Sequence, residues 1–352
     1  MTVNDTLQLL MQMLAIPSIS RDEVAKADFL EMYLQKNLAW EVKRVGNNLY
    51  SYASAYDASK PTVLLNSHID TVKPRDSWTK EPFAATQEAG LIYGLGSNDA
   101  HASVVSLIAV FDYLRTTQQA YNLIIGISCE EEVSGKNGIE LLLQHLPKID
   151  LAIVGEPTGL EMAIAEKGLM VVDCVAHGKA GHAARNEGEN ALYKALDDID
   201  WCRNYEFEKK SPTLGEVKLT VTMIEAGSQH NVIPDTCKFT ADVRLTECYS
   251  HQEVLEIMQA NMQAEVTPRS MRLRASGIAM DHPLVQKHLA THRGVFGSST
   301  MSDQALMPFP SVKVGPGDSA RSHSADEYIK ADEITQAIEY YTLLLDGFDC
   351  FI

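Results

Sequence analysis

Residues 122–138 read NLIIGISCEEEVSGKNG. The Ile-rich apolar run at 123–127, bounded by polar residues, has the pattern of a buried strand. It leads into three consecutive glutamates, Glu130, Glu131 and Glu132. Neighbouring carboxylates repel and are costly to desolvate, so a purely structural strand gains nothing from them. A solvated acidic turn explains such a triplet standing alone. Here it does not stand alone, because four other element ends carry His, Asp or Glu in the same way.

Working outward, residues 62–66, TVLLN, form a second buried run that ends in Ser67-His68-Ile69-Asp70. Residues 91–99, LIYGLGSND, read as a short strand and a Gly-bearing turn ending in Asp99. Residues 102–114 place Val104, Val105, Leu107, Ile108, Phe111 and Leu114 for a mostly buried helix. Residues 151–154 are another apolar strand, followed by Gly155-Glu156-Pro157-Thr158. Helices are expected at 2–15, 22–38 and 139–146, and strand-like material at 41–54. Strands alternating with helices predict an α/β fold: a mixed, mostly parallel sheet flanked by helices.

The pattern changes near residue 167. Strands are expected at 169–175, 216–224, 238–245 and 271–275, with helices at 190–202 and 251–262. That βαββαβ order is the ferredoxin-like α+β plan. Beyond it the first pattern resumes, with a helix near 281–292, a strand at 311–314 and a last helix from Asp332. The expected organisation is a catalytic domain from residues 1–165 and 277–352, interrupted by an inserted domain at 166–276 that acts as a lid and dimerisation surface.

The chain has 352 residues, 45% of them hydrophobic, enough for two cores. Its 30 Lys and Arg face 47 Asp and Glu, for a formal net charge of -17. With no basic patch, nucleic acid and anionic membrane surfaces are unexpected partners. Residues 1–14 lack a basic start and a cleavage site. Leu7, Leu10, Met11 and Leu14 follow helical spacing, the sign of an amphipathic helix and not a signal peptide. No apolar run reaches transmembrane length. Six cysteines without a CxxC pair are expected to be reduced thiols in a cytoplasmic protein.

In α/β sheets, ligands bind beyond the carboxyl ends of the strands. Five such ends carry metal-competent residues: His68 with Asp70, Asp99, Glu131 with Glu132, Glu156, and His323. The two histidines and the carboxylates suit zinc or another borderline divalent ion. They are too many for one tetrahedral site with an open position, whereas two metals sharing a bridging carboxylate would use them all. Asp70, two residues after His68, is placed to accept a hydrogen bond from the ring nitrogen that does not bind metal.

These segments resemble the co-catalytic di-zinc aminoacylase and carboxypeptidase family over essentially the whole chain. The resemblance rests on Ser67-His68-Ile69-Asp70-Thr71-Val72, Gly94-Leu95-Gly96-Ser97-Asn98-Asp99, Glu130-Glu131-Glu132-Val133-Ser134-Gly135 and Gly155-Glu156-Pro157-Thr158. It continues through Gly178-Lys179-Ala180-Gly181-His182, Asn231-Val232-Ile233-Pro234 and His323-Ser324-Ala325-Asp326-Glu327-Tyr328-Ile329. It implies two Zn2+ ions, for which Co2+ or Mn2+ can substitute. Asp99 would bridge them, with His68 and Glu156 at one ion and Glu132 and His323 at the other. Glu131 would be the general base, Asp70 would support His68, and His182 would donate to the oxyanion. Asn231 and Arg244 are similar to substrate-binding positions. Without the resemblance, His182 reads as a surface histidine and Arg244 equally as a strand ion-pair partner. The Gly315-Pro316-Gly317 turn reads either as a plain loop or as a place where backbone N–H groups meet substrate.

Two departures from the family stand out. Asp99-Ala100-His101-Ala102 replaces a frequent Asp-Met-Lys-Gly, and His101 is expected at a helix start facing solvent. Ser302-Asp303-Gln304-Ala305 replaces a frequent Ser-Asp-Ala-Arg, which bears on substrate choice. The expected activity is hydrolysis of a small N-acylated amino acid by a homodimer, with the acetylornithine deacetylase branch of the family nearest. Alternatives are an N-acyl-citrulline deacylase, a succinyl-diaminopimelate desuccinylase, a dipeptidase of the same family, and a non-catalytic metal or ligand binder. Glu131 separates the last from the rest, since a pure binder needs no base beside a complete ligand set.

Overall fold

The computed structural model describes every residue except Asn186 and 350–352. Cys350 therefore lies outside the described residues; the other five cysteines are free. The chain divides into two compact units, one of residues 1–164, 277–296 and 302–352, the other of 165–276 with 297–301. The short second stretch, 297–301, carries no periodicity by which sequence could have assigned it.

The first unit is built on a mixed sheet. From one edge, the strands run Lys43–Val45, Asn48–Tyr52, Asn122–Ser128, Thr62–His68, Leu151–Val154, Ser311–Lys313 and Met162–Glu166. The strands from Asn122–Ser128 to Ser311–Lys313 are parallel to their neighbours, and antiparallel pairs flank them on both sides. Alternation along each strand serves two cores. Val63, Leu65, Ile125 and Ile153 face the layer of helices Val3–Leu14, Ala102–Leu114 and Ala331–Leu345. Leu64, Ile124, Ala152 and Val154 face the layer that holds Ile139 and Leu142. Burying each large aliphatic side chain contributes about 1.5–3 kcal/mol. The first helix begins where Thr2 and Asp5 form a reciprocal capping box. Helix Ala102–Leu114 is buried along most of its length, as its composition predicts. Among the described residues, no helix is long and apolar enough to cross a membrane.

The second unit is a four-stranded antiparallel sheet in the order Lys218–Ala226, Thr236–Leu245, Gly168–His177, Glu265–Pro268. Helices Ala191–Asn204 and His251–Asn261 complete the βαββαβ order. The last strand falls earlier than expected. The alternation in 271–275, MRLRA, imitates a half-exposed strand, but Met271 is exposed and the segment is not a strand. Val266, opposite Cys174, carries the buried face instead.

Candidate metal centre

Chain geometry beyond the parallel strands brings the carboxylates and histidines together. His68 is the last residue of its strand. Glu156 follows strand Leu151–Val154 by two residues. Glu131 and Glu132 sit in a one-turn helix, Glu131–Val133, flanked by the left-handed residues Glu130 (φ 55°) and Ser134 (φ 45°). That turn lets two adjacent glutamates serve one locality, which an extended strand would forbid. Asp99 lies in the bend Ser97–His101 and is followed by a cis peptide bond. Gly96 enters the bend at φ 84°, where a Cβ would lie 2.6 Å from the His101 ring, so both backbone sign and space call for glycine.

His68 Nε2 lies 3.3 Å from Asp99 Oδ1, 3.6 Å from Glu156 Oε1 and 3.9 Å from Glu131 Oε2. His323 Nε2 lies 2.9 Å from Glu132 Oε2 and 3.7 Å from Asp99 Oδ2. Each oxygen of Asp99 thus faces a different histidine. Bonds of about 2.0–2.2 Å in a tetrahedron hold neighbouring donor atoms about 3.3–3.6 Å apart, close to several of these spacings. His68 Nε2 and Glu156 Oε1 are buried and have no hydrogen-bond partner. Buried polar atoms are normally paired, so these two fit a cation between them. Among the described residues, two groups have donor atoms close enough to hold an ion: His68, Glu131 and Glu156, and His68, Asp99 and Glu132.

The electrostatics want positive charge in the same place. Burial pushes Glu131 and Glu156 well above the ordinary carboxyl range, and the neighbouring carboxylates add to the shift. Burial would depress His68, but Asp70, Asp99, Glu131 and Glu156 outweigh it and hold the imidazole well above its usual value. The metal-free centre therefore holds protons that a divalent cation must displace, because ligands bind deprotonated. Zn2+ binding near neutral pH should release protons, and affinity should rise with pH. Calorimetric titration in two buffers of different ionisation enthalpy counts them; zero release or net uptake would contradict this electrostatic account.

Asp70 does more than expected. The strand has already ended at His68, and the His68 Nδ1 sits 3.0 Å from the Asp70 backbone carbonyl against 3.4 Å from its carboxylate. The carboxylate instead accepts the backbone N–H of Glu131 (3.0 Å) and of Glu132 (3.1 Å) and the hydroxyl of Ser20 (2.7 Å). It clamps the turn that carries both glutamates. His101 departs from expectation altogether: it is fully buried, because the helix it precedes is buried along most of its length. Its Nε2 lies 3.1 Å from the Nζ of the buried Lys26 and 2.9 Å from the Ile69 carbonyl. Sequence gave Lys26, Ser20 and Glu327 no role. Asp303, in the departing loop, is also buried, pushed up to about 7 by that burial, and accepts from Ser128 Oγ at 2.5 Å.

His182, Asn231 and Arg244 belong to the second unit. The exposed His182 pairs with Val232 in a short antiparallel ladder, and the Ala183 N–H donates to the Asn231 carbonyl. Arg244 is half-buried and makes a forked contact with Asp242 at 2.7 and 3.1 Å, the ion-pair arrangement that a strand arginine can adopt. The Gly315 N–H is accepted by Thr158 Oγ1 at 3.1 Å, which makes that part of the turn a packing element.

A curated succinyl-diaminopimelate desuccinylase of Corynebacterium glutamicum is 27% identical over 354 residues, covering 95% of this chain and 94% of that protein. The fold is similar to the aminopeptidase PepT from Bacillus cereus (TM-score 0.78, 18% identity, 98% of each chain covered). It is also similar to a Bacillus subtilis protein described as a dinuclear metal-binding peptidase (TM-score 0.75, 15% identity, 98% of this chain and 99% of that one). The model of peptidase family M20/M25/M40 matches residues 64–347, from the strand that ends in His68 to just past the last helix. With that match over a chain whose strand ends converge on two candidate ligand groups, the protein belongs to peptidase family M20/M25/M40 and is a metal-dependent hydrolase of amide bonds.

Proposed function

We propose that the protein removes the acyl group from a small N-acylated amino acid, with N-acetylornithine as first substrate and acylated citrulline beside it. The observation that carries the amidohydrolase chemistry is Glu131, a partly buried carboxylate that lies further from His68 Nε2 than those of Asp99 and Glu156. His68, Asp99 and Glu156 would hold one Zn2+, and His323, Glu132 and Asp99 the other. When bound, such a pair supplies Lewis acidity toward the scissile carbonyl and the attacking water. Glu131 takes a proton from that water and hands it to the leaving amine. His182 donates to the developing oxyanion. Asn231 and Arg244 orient the substrate, Arg244 exchanging Asp242 for the α-carboxylate.

With Arg244 assigned to the α-carboxylate, Arg321, another cation that could recognise a second carboxylate, is already held by Glu333 at 2.8 and 3.0 Å. That favours an acyl group without its own charge. The similarity to a succinyl-diaminopimelate desuccinylase supports the second reading, a dicarboxylic acyl group on a diamino acid. The ratio of kcat/KM values decides, since discrimination is a difference in transition-state binding. N-acetylornithine and N-acetylcitrulline should exceed succinyl-diaminopimelate on one Zn2+-loaded preparation. If succinyl-diaminopimelate wins by more than about tenfold, worth ~1.4 kcal/mol, the ornithine reading is wrong while the amide chemistry stands. A dipeptide outrunning all acyl substrates would make the protein a dipeptidase.

The assembly we propose is a homodimer through the second unit. Strand Lys218–Ala226 lies at the sheet edge and leaves Met223 and Ile224 exposed, and helix Ala191–Asn204 exposes Tyr193 and Leu196. An unpaired edge with apolar side chains is a ready surface for a second copy.

A further inference from the structure

We infer that Glu327 is a positioning residue that fixes Asp99 where it faces both histidines. The inference rests on the reading of Asp99 as the shared ligand. Glu327 is 2% exposed. Its Oε1 accepts the backbone N–H of Asn98 at 2.8 Å and of Asp99 at 2.9 Å, and its Oε2 accepts that of Gly96 at 3.2 Å. Strand Tyr328–Lys330 pairs with Leu91–Tyr93, and the Gly94 N–H continues the ladder onto the Glu327 carbonyl. Past Gly94 the chain turns into the bend, where Leu95 and Ser97 donate to the backbone carbonyls of Pro82 and Gly94. The Glu327 carboxylate is the acceptor for the three other N–H groups between Gly96 and Asp99.

Those donors lie in a segment whose Ser97 and Asn98 are fully buried. An unpaired amide there would cost its desolvation, so the bend has one favourable arrangement while the carboxylate is present. The same turn carries His323 four residues earlier, in the left-handed region at φ 56°. Asp326, also left-handed, pins the turn by accepting from the N–H groups of Thr79 and Lys80, each at 2.9 Å. One short segment thus presents a histidine to the centre and sets the loop that brings the aspartate. Misplacing Asp99 by tilting this bend would lengthen its approach to His68 and to His323 together.

The test uses the full chain with Glu327→Gln and Glu327→Asp. The amide is isosteric but turns an NH2 toward one of the donors. The shorter acid keeps the carboxyl group but does not span all three. Phe111→Leu serves as a control that loosens the same core at the far end of helix Ala102–Leu114. Three quantities are read: amide hydrogen exchange of peptide 94–101 in the metal-free protein, Zn2+ affinity by chelator competition, and kcat and KM. Both Glu327 variants should exchange that peptide faster, lose about 10- to 100-fold in Zn2+ affinity, as outer-shell changes typically do, and lose kcat more than KM. Phe111→Leu should lower the melting temperature with Zn2+ affinity unchanged. Wild-type affinity and kcat in both Glu327 variants, or losses no larger than those of Phe111→Leu, would overturn the inference. Wild-type protein that takes up no Zn2+ would instead bring down the metal-centre reading, and this inference with it.

Discussion

Glu131→Ala is expected to keep both metal ions and lose ~100- to 10,000-fold in turnover, the usual contribution of a general base. Its carboxylate lies 3.9 Å from His68 Nε2, further than those of Asp99 and Glu156. Its backbone N–H is fixed by Asp70, so the side chain is held without needing a metal bond. Burial raises its proton affinity, which suits a group that must take a proton near neutral pH and then release it. Glu132→Ala should behave differently. Glu132 is the acid 2.9 Å from His323 Nε2, and without it that side of the centre has only His323 and one Asp99 oxygen. It should lose a metal ion and activity together. Glu131 also lies within ligand reach of His68 and Glu156, so metal counting on the purified variants separates a base from a ligand. An Glu131→Ala protein short of one ion, beside a fully loaded and active Glu132→Ala protein, would reverse the two roles.

His182→Ala should cost on the order of 100-fold or more in kcat, the typical effect of removing an oxyanion donor. The local hydrogen bonding supports a donor role. The Ala184 N–H donates to His182 Nδ1 at 3.1 Å, which leaves the ring proton of the neutral imidazole on Nε2. Substrate KM should change little, because the contact forms as charge develops. If the donor acts across a dimer, mixing the inactive Glu131→Ala and His182→Ala proteins should restore part of the activity through hybrid dimers. A fully active monomer at working concentration would end that idea, and an unaltered kcat in His182→Ala would remove the residue from the mechanism.

How much of this was legible in the sequence depended on range. Period-two and period-3.6 patterns are local, so the strand ending at His68, the glutamate turn and the buried helix after Asp99 could be read directly. The element ends at His68, at Glu131 with Glu132, and at Glu156 converge because parallel strands of an α/β sheet direct their carboxyl ends to one side, a rule that needs no coordinates, whereas Asp99 follows a strand of a separate small antiparallel sheet. The clamps were invisible for the same reason. Asp70 meets Glu131 across 61 residues, Lys26 meets His101 across 75 and Glu327 meets Asp99 across 228. No periodicity links such partners, and a polar residue beside a motif looks the same whether it is solvated or buried. The strand misplaced at 271–275 failed differently: alternation there was genuine, but the ladder used Glu265–Pro268 instead.

The sheet order has a consequence for how this protein is made. Strand Ser311–Lys313 adds to Leu151–Val154 in parallel, yet the ribosome makes it only after the whole second unit. Roughly 160 residues separate the two strands, a wait of about ten to thirty seconds at ~5–20 residues per second. The second unit can close meanwhile, since its four strands pair among themselves. During that interval the nascent first unit presents Leu151–Val154, every residue of it apolar, as an open sheet edge, the kind of surface on which nascent chains stick to one another or to a chaperone. The ligands follow the same schedule: four of the five proposed ones are translated before the insertion, and His323 arrives last.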